Sequence, residues 1–174
     1  MTHKLVRLSK SCISDDEVAA VTAVLKDEYL GMGSHVQKFE IALETFFGSK
    51  VATVNTGTSA IQLALQAVGC TIGDEVLVPS LTYLATYQAI SATGAKPISC
   101  DVNLSKGMLC IEDCKRKITQ KTKAFIPVFY AGATDLLEEY LNFEDEVGIK
   151  CVFDAAHAFG SKLNNKIVGS GRGI

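Results

Sequence analysis

The sequence lacks an excess of charge of either sign. Seventeen Lys and Arg stand against nineteen Asp and Glu, a net charge of −2 at pH 7. That balance removes the electrostatic footprint of a nucleic-acid binder or of a protein held on acidic lipid. No apolar run reaches the length of a membrane span, and no cationic start leads into an apolar signal region. We therefore expect a soluble, cytoplasmic chain with no nucleic-acid and no membrane partner. No two cysteines form a CxxC pair, and the three histidines (His3, His35, His157) are scattered. Zinc needs a closer set of nitrogen and sulfur ligands, so no metal site is expected. Cys110 and Cys114 lie one helical turn apart, but two ligands do not make a site. The six cysteines read as reduced thiols used as small apolar residues. No G-x-G-x-x-G follows a strand and opens a helix. The glycine-rich Gly169-Ser170-Gly171-Arg172-Gly173 leads into no helix, which argues against a nicotinamide cofactor. Internal repeats, linkers and low-complexity segments are absent too, so a solenoid is excluded and one domain is the simplest reading.

What is present is globular. Hydrophobic residues make up 48% of the 174 and charged residues 21%, enough to bury a core. Ser14-Asp15-Asp16-Glu17 is a capping box, and Val18, Val21 and Leu25 then recur at helical spacing to about Glu28. Ser34 opens a second helix with Val36, Phe39, Leu43 and Phe46 as its buried stripe, ending at Gly48. A Val/Thr-rich strand over 51–54 is predicted, then a helix from Ala60 closed by Gly69. Strands over 75–79, 96–102, 123–129 and 149–154 follow, with helices over 82–93, 111–118 and 135–147 between them. Leu84, Tyr87, Ala89 and Ile90 are the expected inward residues of the 82–93 helix. Pro127 suits a strand end or a bulge. Asn164-Asn165 reads as the turn of a hairpin over 161–168. Strand and helix alternate about five times, which predicts an α/β fold: a mainly parallel sheet with helices on both faces.

Ligands of such sheets bind beyond the carboxyl ends of the strands, and polar residues gather there. At Gly57-Thr58-Ser59 a turn enters a helix. Orphan N–H groups and the positive dipole end together favour an anion; an ordinary hydroxyl cap is the other reading. Tyr83 offers a face on which a planar ring can stack, or it packs on the rim. Asp154 ends a strand before the small Ala155-Ala156. It can pair with a protonated ring nitrogen or cap nearby backbone N–H groups. His157 can hydrogen-bond a ring oxygen, or it is simply exposed. Taken together, an anion seat, an aromatic face and a carboxylate suit a phosphorylated aromatic cofactor with a basic ring nitrogen.

An ordered set of segments carries a further signal: Val36-Gln37-Lys38-Phe39-Glu40, then Asn55-Thr56-Gly57-Thr58-Ser59-Ala60, then Gly73-Asp74-Glu75-Val76-Leu77-Val78-Pro79-Ser80-Leu81-Thr82-Tyr83-Leu84-Ala85-Thr86 and Gly94-Ala95-Lys96-Pro97. Thr122-Lys123-Ala124-Phe125-Ile126-Pro127-Val128 and Asp154-Ala155-Ala156-His157-Ala158-Phe159-Gly160 complete it. With these the chain resembles the N-terminal part of the DegT/StrS-type sugar aminotransferases, enzymes of the aspartate-aminotransferase fold that use pyridoxal 5'-phosphate. The resemblance implies that Thr58 and Ser59 contact the cofactor phosphate, Tyr83 stacks on the pyridine ring, Asp154 binds its nitrogen, and His157 lies on the ring-hydroxyl side. It also implies a reaction in which an amino-acid donor such as glutamate loads the cofactor and the amine passes to a nucleotide-linked keto sugar, in a homodimer.

The family's lysine nucleophile lies in a Ser-Phe-x-x-x-Lys stretch beyond Ile174, so the resemblance assigns no catalytic residue within 1–174. Gly171-Arg172-Gly173 departs from the Leu-Gly-Asp usual there. Residues 1–174 are thus expected to form a partial large, cofactor-binding domain with its N-terminal helical segment. The small C-terminal domain would be missing and the chain inactive by itself. A non-catalytic cofactor-binding fragment or remnant, and a sugar dehydratase of the same family with His in place of the lysine, are the alternatives.

Overall fold

A computed structural model describes residues 10–171. The chain divides into two compact units, Met1–Ala42 and Leu43–Ile174. In the first, α1 (Asp15–Lys26) starts at Ser14. The Ser14 side chain accepts from the Asp16 amide, and the Glu17 carboxylate accepts from the Ser14 amide and hydroxyl. This is the capping box predicted from the sequence, with three acidic residues in the first turn complementing the helix dipole. A second helix, α2 (Ser34–Phe47), runs across the boundary between the units. Its predicted stripe is not buried: no residue of α1 or α2 is, and Val18, Val21, Leu25, Phe39 and Phe46 are all exposed. Apolar spacing marks a face that needs cover but does not supply the cover.

The second unit holds α3 (Gly57–Ala67), β1 (Glu75–Pro79), α4 (Leu84–Ala92), β2 (Lys96–Cys100), α5 (Ile111–Lys117), β3 (Thr122–Phe125), α6 (Leu137–Val147) and β4 (Lys150–Cys151). The four strands form one parallel sheet in the order β2-β1-β3-β4. Side chains alternate along each strand. Val76, Val78, Ala124, Ile126 and Val152 point to one face and pack with Ile61, Leu65, Ala89 and Ile90 of α3 and α4. Leu77, Phe125 and Cys151 point to the other and pack with Cys114 of α5 and Tyr140 and Phe143 of α6. Burial on both faces explains why these strands read as continuous apolar runs. This is the α/β architecture with helices on both faces expected from the sequence.

Several boundaries differ from the sequence reading. Residues 51–54 belong to neither of the two described sheets, although their side chains alternate in exposure as a strand's do. The Val/Thr propensity is there, but a strand exists only where a neighbour offers a ladder. The strand over 123–129 stops at Phe125, short of Pro127, which has no N–H to give; parallel hydrogen bonding resumes as Asp154 N donates to the Pro127 carbonyl at 3.0 Å. Likewise the strand over 96–102 ends at Cys100, and that over 149–154 is regular only at Lys150–Cys151. On α4 the inward residues are Thr86, Ala89 and Ile90, while Leu84 is exposed. The predicted hairpin is β5 (Lys162–Leu163) and β6 (Lys166–Ile167), with Asn164 at φ 49° and Asn165 at φ 63°, as a type I′ turn requires.

One buried charge anchors α5. Asp113 is 3% exposed. Its Oδ2 accepts from the Asp101 amide and Lys117 Nζ, both at 2.7 Å, and its Oδ1 from Arg116 at 2.8 Å. The Lys117 hydrogen bond, the Asp101 amide and the Arg116 guanidinium hold its carboxyl at about 2, below the usual carboxylate range.

Candidate functional site

The chain leaves β1 through α4 to β2 on one side, then returns through α5 to β3 on the other. The strand order therefore reverses between β1 and β3, and in open α/β sheets a crevice opens at the carboxyl ends there. A cavity of about 530 Å³ lies at this place. Leu81, Thr82 and Tyr83 line it after β1, Val128 and Tyr130 after β3, and Asp154, Ala156 and His157 after β4; Thr56, Gly57 and Thr58 come from the start of α3. Its volume is in the range of small-molecule and cofactor sites.

Asp154 is half-buried and held from two sides. The amide of Ala156 donates to Oδ1 at 3.3 Å, and the Thr86 hydroxyl donates to Oδ2 at 2.9 Å. Thr86 is fully buried, and its oxygen lies 2.8 Å from that of Thr82. The strand-like pairing of Val128 with Asp154 fixes the backbone beneath the carboxylate. Two of its roughly four acceptor positions are thus filled by protein, and the residue still lines the cavity.

At the tip of α3, Thr56 is the N-cap, and its Oγ1 accepts from the Ser59 amide at 3.0 Å. The first intrahelical bond runs from Ala60 N to Thr56 O, so the amides of Gly57 and Thr58 precede the helical ladder. With the positive end of the helix they make an anion seat. The tip is thus a hydroxyl cap made by Thr56, and the residues around it, Thr56, Gly57 and Thr58, line the cavity. Ser59 is the expected site residue that does not line the cavity. Its amide is taken by Thr56 Oγ1, and its hydroxyl lies 3.0 Å from the same atom.

Tyr83 stands at the N-cap position of α4 with its side chain 80% exposed, so a ring face is open on the cavity wall. His157 lines the same cavity, and its Nδ1 accepts from the Ala131 amide at 3.3 Å. A neutral imidazole that accepts at Nδ1 carries its proton on Nε2, so His157 presents a donor. Ala131 makes this bond from a left-handed conformation, φ 54° and ψ 20°, a backbone state that costs a non-glycine residue about 1 kcal/mol. The Tyr130 ring packs edge-on against His157 at 5.8 Å.

One cavity therefore gathers Thr58, Tyr83, Asp154 and His157, while the Ser59 amide is taken by the Thr56 cap. The residues fit a phosphorylated pyridine. Amide donors at a helix start suit the phosphate, a half-buried carboxylate suits a cationic ring nitrogen, and an exposed aromatic face suits the ring. Sequence reasoning missed Thr56 as the cap and Thr82 and Thr86 as the support of Asp154. A signal for Thr86 existed: it shares the i, i+3, i+4 face with Ala89 and Ile90, and a hydroxyl on an inward face needs a partner. Among the described residues no cluster of His, Cys, Asp or Glu gathers that could hold a metal, and no helix is long and apolar enough to cross a membrane.

DesV of S. venezuelae, solved in complex with a ketimine intermediate, superposes with a TM-score of 0.85 at 33% identity, over 90% of this chain and 43% of that one. A 3-amino-5-hydroxybenzoic acid synthase gives 0.85 at 30% identity, over 91% and 42%. A GDP-4-keto-6-deoxymannose-3-dehydratase, with a trapped PLP-glutamate geminal diamine, gives 0.83 at 28% identity, over 94% and 44%. The chain thus spans less than half the length of each. Residues 11–174 match the model of the DegT/DnrJ/EryC1/StrS aminotransferase family, and the chain belongs to that family.

Proposed function

We propose that this chain forms the pyridoxal 5'-phosphate cradle of an aminotransferase that moves an amino group from an amino acid such as glutamate to a nucleotide-linked keto sugar. The observation that carries the reading is the single cavity at the strand-order reversal that collects an anion seat, an open aromatic face and a supported carboxylate. The family supports the reaction class. Bound there, pyridoxal phosphate supplies an electron sink that labilises bonds at the carbon bearing an amine.

In this reading the Gly57 and Thr58 amides and the Thr58 hydroxyl bind the phosphate. Asp154 holds a proton on the ring nitrogen and so keeps the ring cationic. Tyr83 covers one face of the ring and limits its tilt. His157 donates from Nε2 to a ring oxygen. Among the described residues no lysine lines the cavity, so binding to these residues is non-covalent and the cofactor leaves on gel filtration. The whole protein acts as a homodimer in the cytoplasm. A second reading, a sugar dehydratase, is favoured by the likeness to the dehydratase structure; it uses the same cradle.

Titration of the chain with pyridoxal phosphate, followed by the visible absorbance of the bound cofactor, tests the cradle. Saturable binding is expected, weakened about tenfold to a hundredfold in Asp154→Ala through loss of a charge-assisted hydrogen bond. Absence of saturable binding, or equal affinity in the variant, would sink the reading.

A further inference from the structure

We infer that Thr86 is a positioning residue for Asp154, and that Thr82, Thr86 and Asp154 form a hydroxyl chain of fixed direction. The inference rests on the cofactor reading above. A threonine hydroxyl has one proton to give. A carboxylate has no proton to give and can only accept, so across the 2.9 Å between Thr86 Oγ1 and Asp154 Oδ2 the threonine proton goes to the carboxylate. The 2.8 Å contact between Thr82 and Thr86 then has one possible polarity: Thr82 donates and Thr86 accepts. Each bond in such a chain polarises the next, and burial strengthens both. Thr86 is fully buried on the inward face of α4, out of reach of bulk solvent. Thr82 and Asp154 both line the cavity, while Thr86 joins them from behind.

The consequence lies in the carboxylate's orientation. Thr86 from α4 and the Ala156 amide from the loop after β4 hold one oxygen each. A carboxylate clamped at both oxygens cannot turn about its Cβ–Cγ bond. Its remaining lone pairs keep one direction, so a ring N–H meets an acceptor that needs no reordering on binding. Without Thr86, Oδ2 loses the one side-chain donor it has among the described residues, and the carboxylate is free to rotate. The ionic hydrogen bond to the ring nitrogen then weakens, and the ring holds its proton less completely.

The test uses the chain itself with pyridoxal phosphate ¹⁵N-labelled at the ring nitrogen, read by affinity and by the nitrogen's chemical shift. Wild type is expected to show a pyridinium shift. Thr86→Val keeps the side-chain volume and removes the hydroxyl. It is expected to bind about tenfold more weakly and to move the shift toward neutral pyridine. Thr86→Ser, which restores the hydroxyl, is expected to return both values close to wild type. A Thr86→Val protein with wild-type shift and affinity would overturn the inference while leaving the cradle intact. So would a Thr86→Ser protein as impaired as Thr86→Val, because the methyl group rather than the hydroxyl would then matter. Absence of binding by wild type would instead overturn the cradle, and this inference with it.

Discussion

Asp113 and Asp154 are both carboxylates at the edge of the same sheet, yet their surroundings give them different tasks. Asp113 is enclosed by Lys117, Arg116 and the Asp101 amide, which take three of its roughly four acceptor positions. Its bonds tie α5 to the end of β2. The carboxyl is held at about 2 against an ordinary 3.8, so its stabilising contribution is present above about pH 4 and is lost as pH falls through the folded value. The shift corresponds to about 2 kcal/mol. Asp113→Asn is therefore expected to cost about 2 kcal/mol in urea unfolding at pH 7, with the gap between wild type and variant closing between pH 4 and pH 2. A gap independent of pH would show that packing, not charge, holds the site. From the sequence, Asp113 was one acidic residue in a basic-flanked helix. Its burial depends on where α5 lies against β2, which no local pattern encodes.

α3 shows how an element serves stability and binding together. Its cap, Thr56, satisfies the Ser59 amide, and this leaves the Gly57 and Thr58 amides on the cavity wall. Thr56→Ala is expected to lower stability by about 1 kcal/mol, the usual worth of a hydroxyl cap, and to weaken pyridoxal phosphate binding; Thr56→Ser should restore both. Unfolding midpoints and cofactor titration check this, and an unchanged midpoint in the alanine variant would contradict the capping role. This helix was legible in advance because a Gly-Thr-Ser turn before an apolar run is a local signal. The 51–54 segment before it was misread for the opposite reason. Its residues suit a strand, but a strand is a property of two segments, and the partner is not written in either one.

At the scale of the whole molecule, the sheet separates two cores, and the cysteines report on both. Cys100, Cys114 and Cys151 belong to the α5/α6 side and Cys70 to the α3/α4 side. Burial pushes the Cys70 thiol up to about 11 and raises that of Cys151 as well. Cys12 is exposed and Cys110 half-buried. An aromatic disulfide reagent is expected to modify Cys12 quickly and Cys110 slowly in the native protein. The other four should react only after denaturation, since burial keeps the reagent from their sulfurs. Rapid native titration of more than two thiols would show that one of the cores is open. The sequence reading of the cysteines as small apolar residues fits the four that sit in the cores, and it could not say which core each would join.

The sequence by itself determined the alternation of strands and helices, the capping box at Ser14, the Asn164-Asn165 turn and the residue types of the cavity. All of these depend on neighbours within a few positions, where propensity and periodicity act. Only the tertiary structure decided that the Ser59 amide is taken by the Thr56 cap while Ser59 stays off the cavity wall, that the α2 stripe is not buried, and that Thr86 lies behind Asp154. Position 86 and position 154 meet because parallel pairing brings β1, β3 and β4 side by side and ends them at one edge of the sheet. A hydrogen bond between residues 68 positions apart has no local signature; it exists only once the strands have fixed their order.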